Sequence, residues 1–147
     1  MKQLKLDIDI LVDLYCKEIR SILEFGVAVW HSGVTVRMTE QLERIQKICI
    51  NIILCNTGVK LDYLEACTLL NLEPLFYRRQ SLCVKFIQKA SQDSRHSDMF
   101  YKNKNTCNTR GNKPEYREFK CRSSRFYNSP LCYLTRLLNN NPVKLKS

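Results

Sequence analysis

Cysteine and histidine are the residues of this chain whose chemistry could support a metal site or a nucleophile. The 147-residue sequence contains two histidines, His31 and His96, and eight cysteines: Cys16, Cys49, Cys55, Cys67, Cys83, Cys107, Cys121 and Cys132. No two cysteines form a Cys-x-x-Cys pair, the compact spacing typical of zinc sites. Both histidines fall in predicted loops without an evident orienting partner, so cysteine–histidine catalysis is not indicated. We expect ordinary reduced thiols and no bound metal.

Two aspartates, Asp7 and Asp9, have a spacing that a metal-binding pair could use. They stand at the start of an amphipathic helical pattern, where acidic side chains are favoured by the positive end of the helix dipole. The sequence also lacks a phosphate-binding glycine loop, a Gly-x-Ser-x-Gly elbow and a zinc-protease helix. We therefore predict no catalytic residue, no metal site, no cofactor and no enzymatic activity for this chain.

Positive charge is concentrated in the last third of the chain, whose total net charge is +10. Residues 91–147 contain 12 lysines and arginines against 4 acidic residues, whereas residues 1–90 contain 12 against 10. Basic side chains interleaved with aromatic ones suit the phosphates and bases of a nucleic acid. The predicted nucleic-acid-binding residues are Lys102, Lys104, Arg110, Lys113, Arg117, Lys120, Arg122 and Arg125. The aromatic residues predicted to stack on bases are Tyr101, Tyr116, Phe119 and Tyr127.

Apolar residues recur at three- and four-residue spacings over most of residues 7–90, which predicts amphipathic helices. The predicted helices run over Asp7–Trp30, Arg37–Leu54, Asp62–Leu70 and from Glu73-Pro74 to Ala90. Gly26 falls inside the first of them. A glycine in a helix interior costs about 1 kcal/mol relative to alanine, so we expect Gly26 to permit a close approach by another helix.

The second predicted helix has a clear apolar stripe and a charged opposite face. Its inward side chains are predicted to be Met38, Leu42, Ile45, Cys49 and Ile52. On the other face, two glutamate-before-base pairs are predicted, Glu40 with Arg44 and Glu43 with Lys47, at the spacing that stabilises helices. Arg78 and Arg79, in the fourth helix, have two open interpretations: packing with ion pairs, or contact with phosphate.

The predicted fold class is all-α: a small antiparallel bundle of about four helices in residues 1–90. A basic, loop-rich C-terminal extension follows in residues 91–147 and ends in a short helix after Asn128-Ser129-Pro130. No segment approaches the roughly 20 apolar residues of a membrane span. Aspartates interrupt any apolar signal-peptide core near the N-terminus. We expect an intracellular protein, with nucleus or cytoplasm left open.

Three blocks of sequence, in order, resemble a known protein family. The first is Tyr15-x-x-x-Ile19-Arg20-Ser21-x-Leu23-Glu24-Phe25-Gly26-x-x-Val29-Trp30-His31-Ser32, followed by Leu42-Glu43-Arg44-Ile45-Gln46-Lys47. The second is Leu70-x-Leu72-Glu73-x-Leu75-x-x-Arg78-Arg79, and the third is Ser129-Pro130-x-x-Tyr133-Leu134-Thr135-Arg136-Leu137-Leu138-Asn139. Together they resemble the region after the catalytic core in reverse transcriptases of non-LTR retrotransposons of the jockey or CR1-like type.

This resemblance implies a thumb-like helical segment and a C-terminal extension of an RNA-directed DNA polymerase. The thumb of such enzymes holds the primer–template duplex, while an aspartate pair in the palm binds the catalytic metals. The sequence has no Asp-Asp dipeptide, so it is expected to be a fragment without the palm, and no catalytic residue can be transferred to it. The expected activity is at most non-specific nucleic-acid binding. The alternative is a non-enzymatic helical module for protein interaction or self-association.

Overall fold

The computed structural model of the protein describes residues 7–55, 61–93, 95–103 and 114–140. Within these ranges the chain is helical and contains no strand, so the predicted all-α class is confirmed. The helices are α1 Ile8–Leu14, α2 Arg20–Glu24, α3 Val27–Trp30, α4 Val36–Cys55, α5 Tyr63–Leu69, α6 Leu75–Gln92, α7 Ser124–Tyr127 and α8 Pro130–Asn140. A π-helical turn, Tyr15–Ile19, joins α1 to α2, and 3-10 turns occupy His31–Gly33 and Ser97–Met99.

The chain divides into two compact units whose boundaries differ from the predicted division at residue 90. Unit 1 comprises Met1–Gly26 and Val34–Arg79, and unit 2 comprises Val27–Gly33 and Gln80–Ser147. One boundary therefore falls inside α6. The cause is packing: Val27 and Ile87, from the predicted N-terminal bundle, share a core with Leu134 of the predicted extension.

Unit 1 has its own apolar core, in which α1 and α5 both pack against α4. The buried members of this core are Tyr15, Ile50, Ile53, Leu54, Ala66, Cys67 and Leu72. The predicted inward stripe of α4 is wrong for Met38 and Ile52, which are 53% and 62% exposed, whereas its member Cys49 does pack against this core. The buried face is rotated around the helix and includes Gln46. The neighbouring helices select this face, and Gln46 is accepted there because polar groups lie within its reach.

Gly26 ends a helix rather than lying inside one. Its φ of 62° is in the left-handed region, which glycine adopts without steric cost. The preceding amide, Phe25 N–H, donates to Ile22 O at 3.3 Å and closes α2. The predicted single helix from Asp7 to Trp30 is therefore wrong. A glycine just beyond a helix C-terminus is a common stop signal, and Gly26 has this role.

Unit 2 is built on the part of α6 from Gln80 onward and on α8. Its buried core consists of Val27, Cys83, Ile87, Ala90, Phe100, Tyr116, Leu134 and Leu138. The predicted short helix after Asn128-Ser129-Pro130 is confirmed as α8. Phe100 and Tyr116 come from the predicted loop-rich extension, and both are buried in the core. None of the helices in the described ranges combines the length and the hydropathy that a membrane span requires.

Candidate nucleic-acid interface

Two extended segments of unit 2 hold part of the predicted basic surface in place. Asn103 N–H donates to Glu115 O at 2.9 Å, and Arg117 N–H donates to Tyr101 O at 2.8 Å. Between these hydrogen bonds, Lys102 and Tyr116 form an antiparallel bridge. Because adjacent residues of an extended chain point to opposite faces, burial of the Tyr116 side chain leaves those of Glu115 and Arg117 exposed to solvent.

The side chain of Asn139 attaches this paired segment to α8. Its amide oxygen accepts a hydrogen bond from Tyr116 N–H at 2.9 Å, and its Nδ2 donates to Tyr116 O at 3.0 Å. Nδ2 also donates to a carboxylate oxygen of Glu118 at 3.0 Å. Tyr116, at 5% exposure, is therefore held through both its backbone and its ring.

Five of the eight predicted basic residues lie in the described part of the chain, and all five are exposed: Lys102, Arg117, Lys120, Arg122 and Arg125. Lys104, Arg110 and Lys113 lie outside the described residues. Lys102 is partly neutralised, because its Nζ lies 3.4 Å from a carboxylate oxygen of Glu115. Its Nζ also lies 5.7 Å from the centroid of the Tyr116 ring.

The other four exposed basic residues, Arg117, Lys120, Arg122 and Arg125, form no ion pair within the ranges that the structure describes. Guanidinium and ammonium groups in this state offer their donors to an incoming anion without first losing a carboxylate partner. Arginine in addition presents a planar set of donors that matches two phosphate oxygens at once.

The predicted aromatic residues differ in their capacity to stack on bases. The prediction for Tyr116 is wrong, because its ring is buried in the core of unit 2. Tyr101 is 63% exposed. Tyr127 is half-exposed, but the Arg136 guanidinium already lies 3.6 Å from its ring centroid. Phe119 is half-buried and packs edge-on against Phe126, with the ring centroids 6.3 Å apart.

Phe126 is an exposed aromatic residue of this surface that the sequence reasoning missed. Its side chain is 45% exposed, and it lies in α7 beside Arg125. Helix α7 begins at Ser124, and the Ser123 hydroxyl caps it by accepting a hydrogen bond from Phe126 N–H at 3.2 Å. The short pattern Ser123-Ser124-Arg125-Phe126 indicates a helix start at this position, since serine is a preferred helix N-cap.

The net charge separates completely between the two units. Counted over the full sequence, unit 1 contains 10 basic and 10 acidic residues, whereas unit 2 contains 14 basic and 4 acidic residues. Unit 2 therefore has the whole net charge of +10. The predicted division at residue 90 placed Lys85 and Lys89 in the N-terminal bundle. Both lie on the part of α6 that belongs to unit 2, and both are exposed.

Arg78 and Arg79 in unit 1 both make polar contacts within the protein. Arg78 Nε donates to the Glu24 carboxylate, which also lies 3.7 Å from Arg20 Nε. Arg79 is 1% exposed, and its Nε donates to Leu75 O at 3.2 Å. The phosphate-contact interpretation of Arg79 is wrong, because its guanidinium is buried among protein atoms.

The predicted Glu43–Lys47 pair is also replaced by other contacts. Glu43 accepts hydrogen bonds from the Tyr63 hydroxyl at 2.5 Å and from Phe76 N–H at 2.6 Å. Lys47 Nζ lies 4.8 Å from the centroid of the Tyr63 ring. Burial, together with the hydrogen bond to Glu43, holds the pKa of Tyr63 well above its ordinary value. These contacts join α4 to α5 and to the start of α6.

A buried polar network in unit 1 centres on Gln46, which is fully buried. The Tyr15 hydroxyl donates to Gln46 Oε1 at 2.9 Å, while Gln46 Nε2 donates to Glu73 O at 3.2 Å and to Cys67 Sγ at 3.7 Å. Burial is the main reason that the pKa of Tyr15 lies well above that of a free tyrosine. The network connects four segments of unit 1, and its role is structural.

Comparison with known proteins gives no match: no family model, no curated protein and no solved structure is similar to this chain. The resemblance to retrotransposon reverse transcriptases therefore stays a prediction. The described surface presents exposed guanidinium and ammonium groups, and the exposed aromatic residues Tyr101 and Phe126 lie close to them in sequence.

Proposed function

We propose that this chain binds nucleic acid without sequence preference, through contacts between unit 2 and the phosphates. The observation that carries the proposal is the separation of charge, since unit 2 has the whole net charge of +10. Its exposed arginines and lysines would displace counterions from the nucleic-acid backbone, which is the main source of non-specific affinity. Phosphate contacts of this kind position a protein on nucleic acid but do not read its sequence.

Single strands suit this surface better than a duplex does. Exposed bases can stack on aromatic side chains, and such stacking contributes about 1–3 kcal/mol per base. Tyr101 and Phe126 are exposed aromatic residues close in sequence to the basic side chains. In a duplex the bases are already stacked on one another, and only the phosphate contacts remain.

The resemblance to the thumb and post-thumb region of non-LTR retrotransposon reverse transcriptases supports the same proposal. A segment that follows a polymerase palm contacts the nucleic acid that the palm copies. Without the palm's aspartate pair, the activity proposed for this chain is binding and not polymerisation. RNA and DNA single strands are both suitable ligands, because phosphate and base stacking are common to them.

Binding of a fluorescent oligonucleotide, measured at increasing salt concentration, tests the proposal. The informative variant replaces Arg117, Lys120, Arg122 and Arg125 with glutamine. For a single strand, each phosphate contact contributes about 0.7 to the slope of log K against log salt, so we expect the slope to fall by about 3. The matched control replaces the exposed unit 1 residues Lys17, Arg37, Arg44 and Lys47, which removes the same charge.

Two results would contradict phosphate binding by unit 2. One is the absence of salt-dependent binding by the unaltered protein. The other is an equal loss of affinity in the unit 2 variant and in the unit 1 control, which would indicate a response to total charge alone. Circular dichroism of both variants shows whether the helices are retained.

Self-association is the second candidate function, and the exposed apolar residues of unit 1 favour it. Phe25 is 84% exposed, Ile22 is 75% exposed and Val36 is 76% exposed. A contiguous exposed apolar patch marks an interaction surface; we propose that these side chains form one and that a second copy of the chain is the partner. Sedimentation velocity at increasing concentration tests this. The Ile22→Ser/Phe25→Ser variant should remain monomeric where the parent protein associates, and a parent that stays monomeric throughout contradicts it.

A further inference from the structure

Two cysteine thiols of unit 2 lie next to each other. Cys121 Sγ is 3.6 Å from Cys132 Sγ, and the Cys121 thiol is also 3.3 Å from the Phe119 carbonyl oxygen. Cys132 lies in α8, whereas Cys121 lies in the irregular segment before α7. A disulfide has a sulfur–sulfur bond of about 2.05 Å, so the two sulfur atoms need to approach by about 1.5 Å.

The two thiols differ in their access to solvent. Cys132 is 3% exposed, whereas Cys121 is only partly buried. A reagent in solution therefore reaches Cys121 first. Because Cys121 is not in a helix, rotation of its side chain and a small shift of its backbone can bring the sulfur atoms together while α8 keeps its hydrogen bonds.

We propose that Cys121 and Cys132 form a reversible disulfide by exchange with a small-molecule disulfide such as glutathione disulfide. The Cys121 thiolate attacks one sulfur of glutathione disulfide, forms a mixed disulfide and releases one glutathione thiolate. The Cys132 thiolate then attacks Cys121 Sγ and releases the second glutathione. The two cysteines lose two electrons and two protons in total, and the glutathione disulfide gains both electrons to become two glutathione molecules.

The local electrostatics set the pH range of this exchange. Burial, followed by the neighbouring Cys132 thiol, raises the pKa of Cys121, while the Arg136 guanidinium opposes this effect. Since the thiolate is the attacking species, exchange at Cys121 accelerates as the pH rises above the range where a free thiol ionises. A thiol of this kind stays reduced in a reducing solution and reacts when the disulfide concentration rises.

The bond would close a loop that contains α7. Arg122 and Arg125, two residues of the basic surface, lie inside this loop. Oxidation would therefore restrict the segment that presents them. The pairing of the thiols is nevertheless independent of the proposed nucleic-acid binding, because it is read from the protein alone.

The test treats the purified full chain with glutathione disulfide, alkylates the remaining thiols in denaturant and cleaves after glutamate. The peptide from Phe119 to Ser147 then contains Cys121 and Cys132 and no other cysteine. We expect this peptide to carry no alkyl group and to be two hydrogen atoms lighter than its reduced form. Dithiothreitol before alkylation should restore two alkylated thiols.

Two variants and one solvent condition make the result specific to this pair. Cys121→Ser should leave Cys132 alkylated and without a bond, whereas Cys55→Ser, which removes an exposed cysteine of unit 1, should leave the bond unchanged. Concentrated urea should slow the formation of the bond, because the two thiols are then no longer held together. The proposal is overturned if both thiols remain free, if glutathione stays attached to Cys121, if Cys121 joins another cysteine, or if urea has no effect.

Discussion

Replacement of Gln46 by leucine should destabilise unit 1, although leucine is the more hydrophobic residue. The substitution removes the acceptor of the Tyr15 hydroxyl and a donor to the Glu73 carbonyl. A buried polar group without a partner costs about 1–3 kcal/mol. Burial of the apolar leucine side chain offsets part of this cost. We expect Gln46→Leu to lower the free energy of unfolding by about 2–3 kcal/mol.

Removal of the tyrosine hydroxyl should recover part of that loss. In a Tyr15→Phe background, Gln46→Leu no longer leaves a buried hydroxyl without an acceptor. The combined variant should therefore be more stable than the sum of the single effects, by about 1–2 kcal/mol. Gln41→Leu is the matched control, since Gln41 is exposed on the same helix. Its effect should remain within about 0.5 kcal/mol, as for most surface substitutions.

Urea unfolding followed by far-ultraviolet circular dichroism, with hydrogen exchange of the α4 amides, measures these differences. Exchange is needed because it reports on α4 directly, whereas the single tryptophan, Trp30, belongs to unit 2. Additivity of the Gln46→Leu and Tyr15→Phe effects within about 0.5 kcal/mol would contradict the proposed hydrogen-bond coupling. An effect of Gln46→Leu as small as that of Gln41→Leu would contradict it as well.

Three further predictions concern stability. Burial raises the pKa of Tyr15, so the phenol ionises near pH 10 in the unfolded chain but stays protonated in the folded one. The free energy of unfolding should therefore fall above that pH by up to about 1.4 kcal/mol per pH unit. Urea titrations at several pH values should show a smaller fall for Tyr15→Phe. Gly26→Ala should lower the stability measured by thermal unfolding by about 1–2 kcal/mol, because the φ of Gly26 is left-handed. Gly33→Ala should be nearly neutral, since a Cβ at Gly33 meets no atom within 4 Å. Equal effects of the two substitutions would contradict backbone strain at Gly26. Glu24→Gln should lower the free energy of unfolding in urea by about 1–3 kcal/mol, since Glu24 is largely buried. Asp13→Asn breaks an exposed ion pair and should change the free energy of unfolding by less than about 1 kcal/mol. A larger effect at Asp13 than at Glu24 would contradict this ranking.

The helices α4 and α6 were predictable from the sequence, but the buried face of α4 was not. Apolar spacing indicated α4 and α6 to within two residues at each end. It then selected Met38 and Ile52 as inward, and both are mostly exposed. The predicted inward face omitted Gln46, a polar residue, yet Gln46 is fully buried. A periodic pattern measures the amphipathicity of one helix, whereas burial depends on the neighbouring helices.

The candidate site shows the same limit. The basic residues of the C-terminal extension were predictable, because charge is a property of composition. The burial of Tyr116 was not, since its ring is held by contacts with α8, which lies more than a dozen residues later in the sequence. The proximity of Cys121 and Cys132 was likewise hidden, as the ten residues between them include the short helix α7.

The sequence by itself determined that this protein is helical and that its C-terminal part is strongly basic. Both properties are local, since helix formation and charge depend on a residue and its near neighbours. Only the tertiary structure decided that residues 27–33 belong with α8 in unit 2, and that the whole net charge lies in that unit. The physical reason is that an apolar side chain is buried against whichever partner excludes water best, and that partner can lie far along the chain.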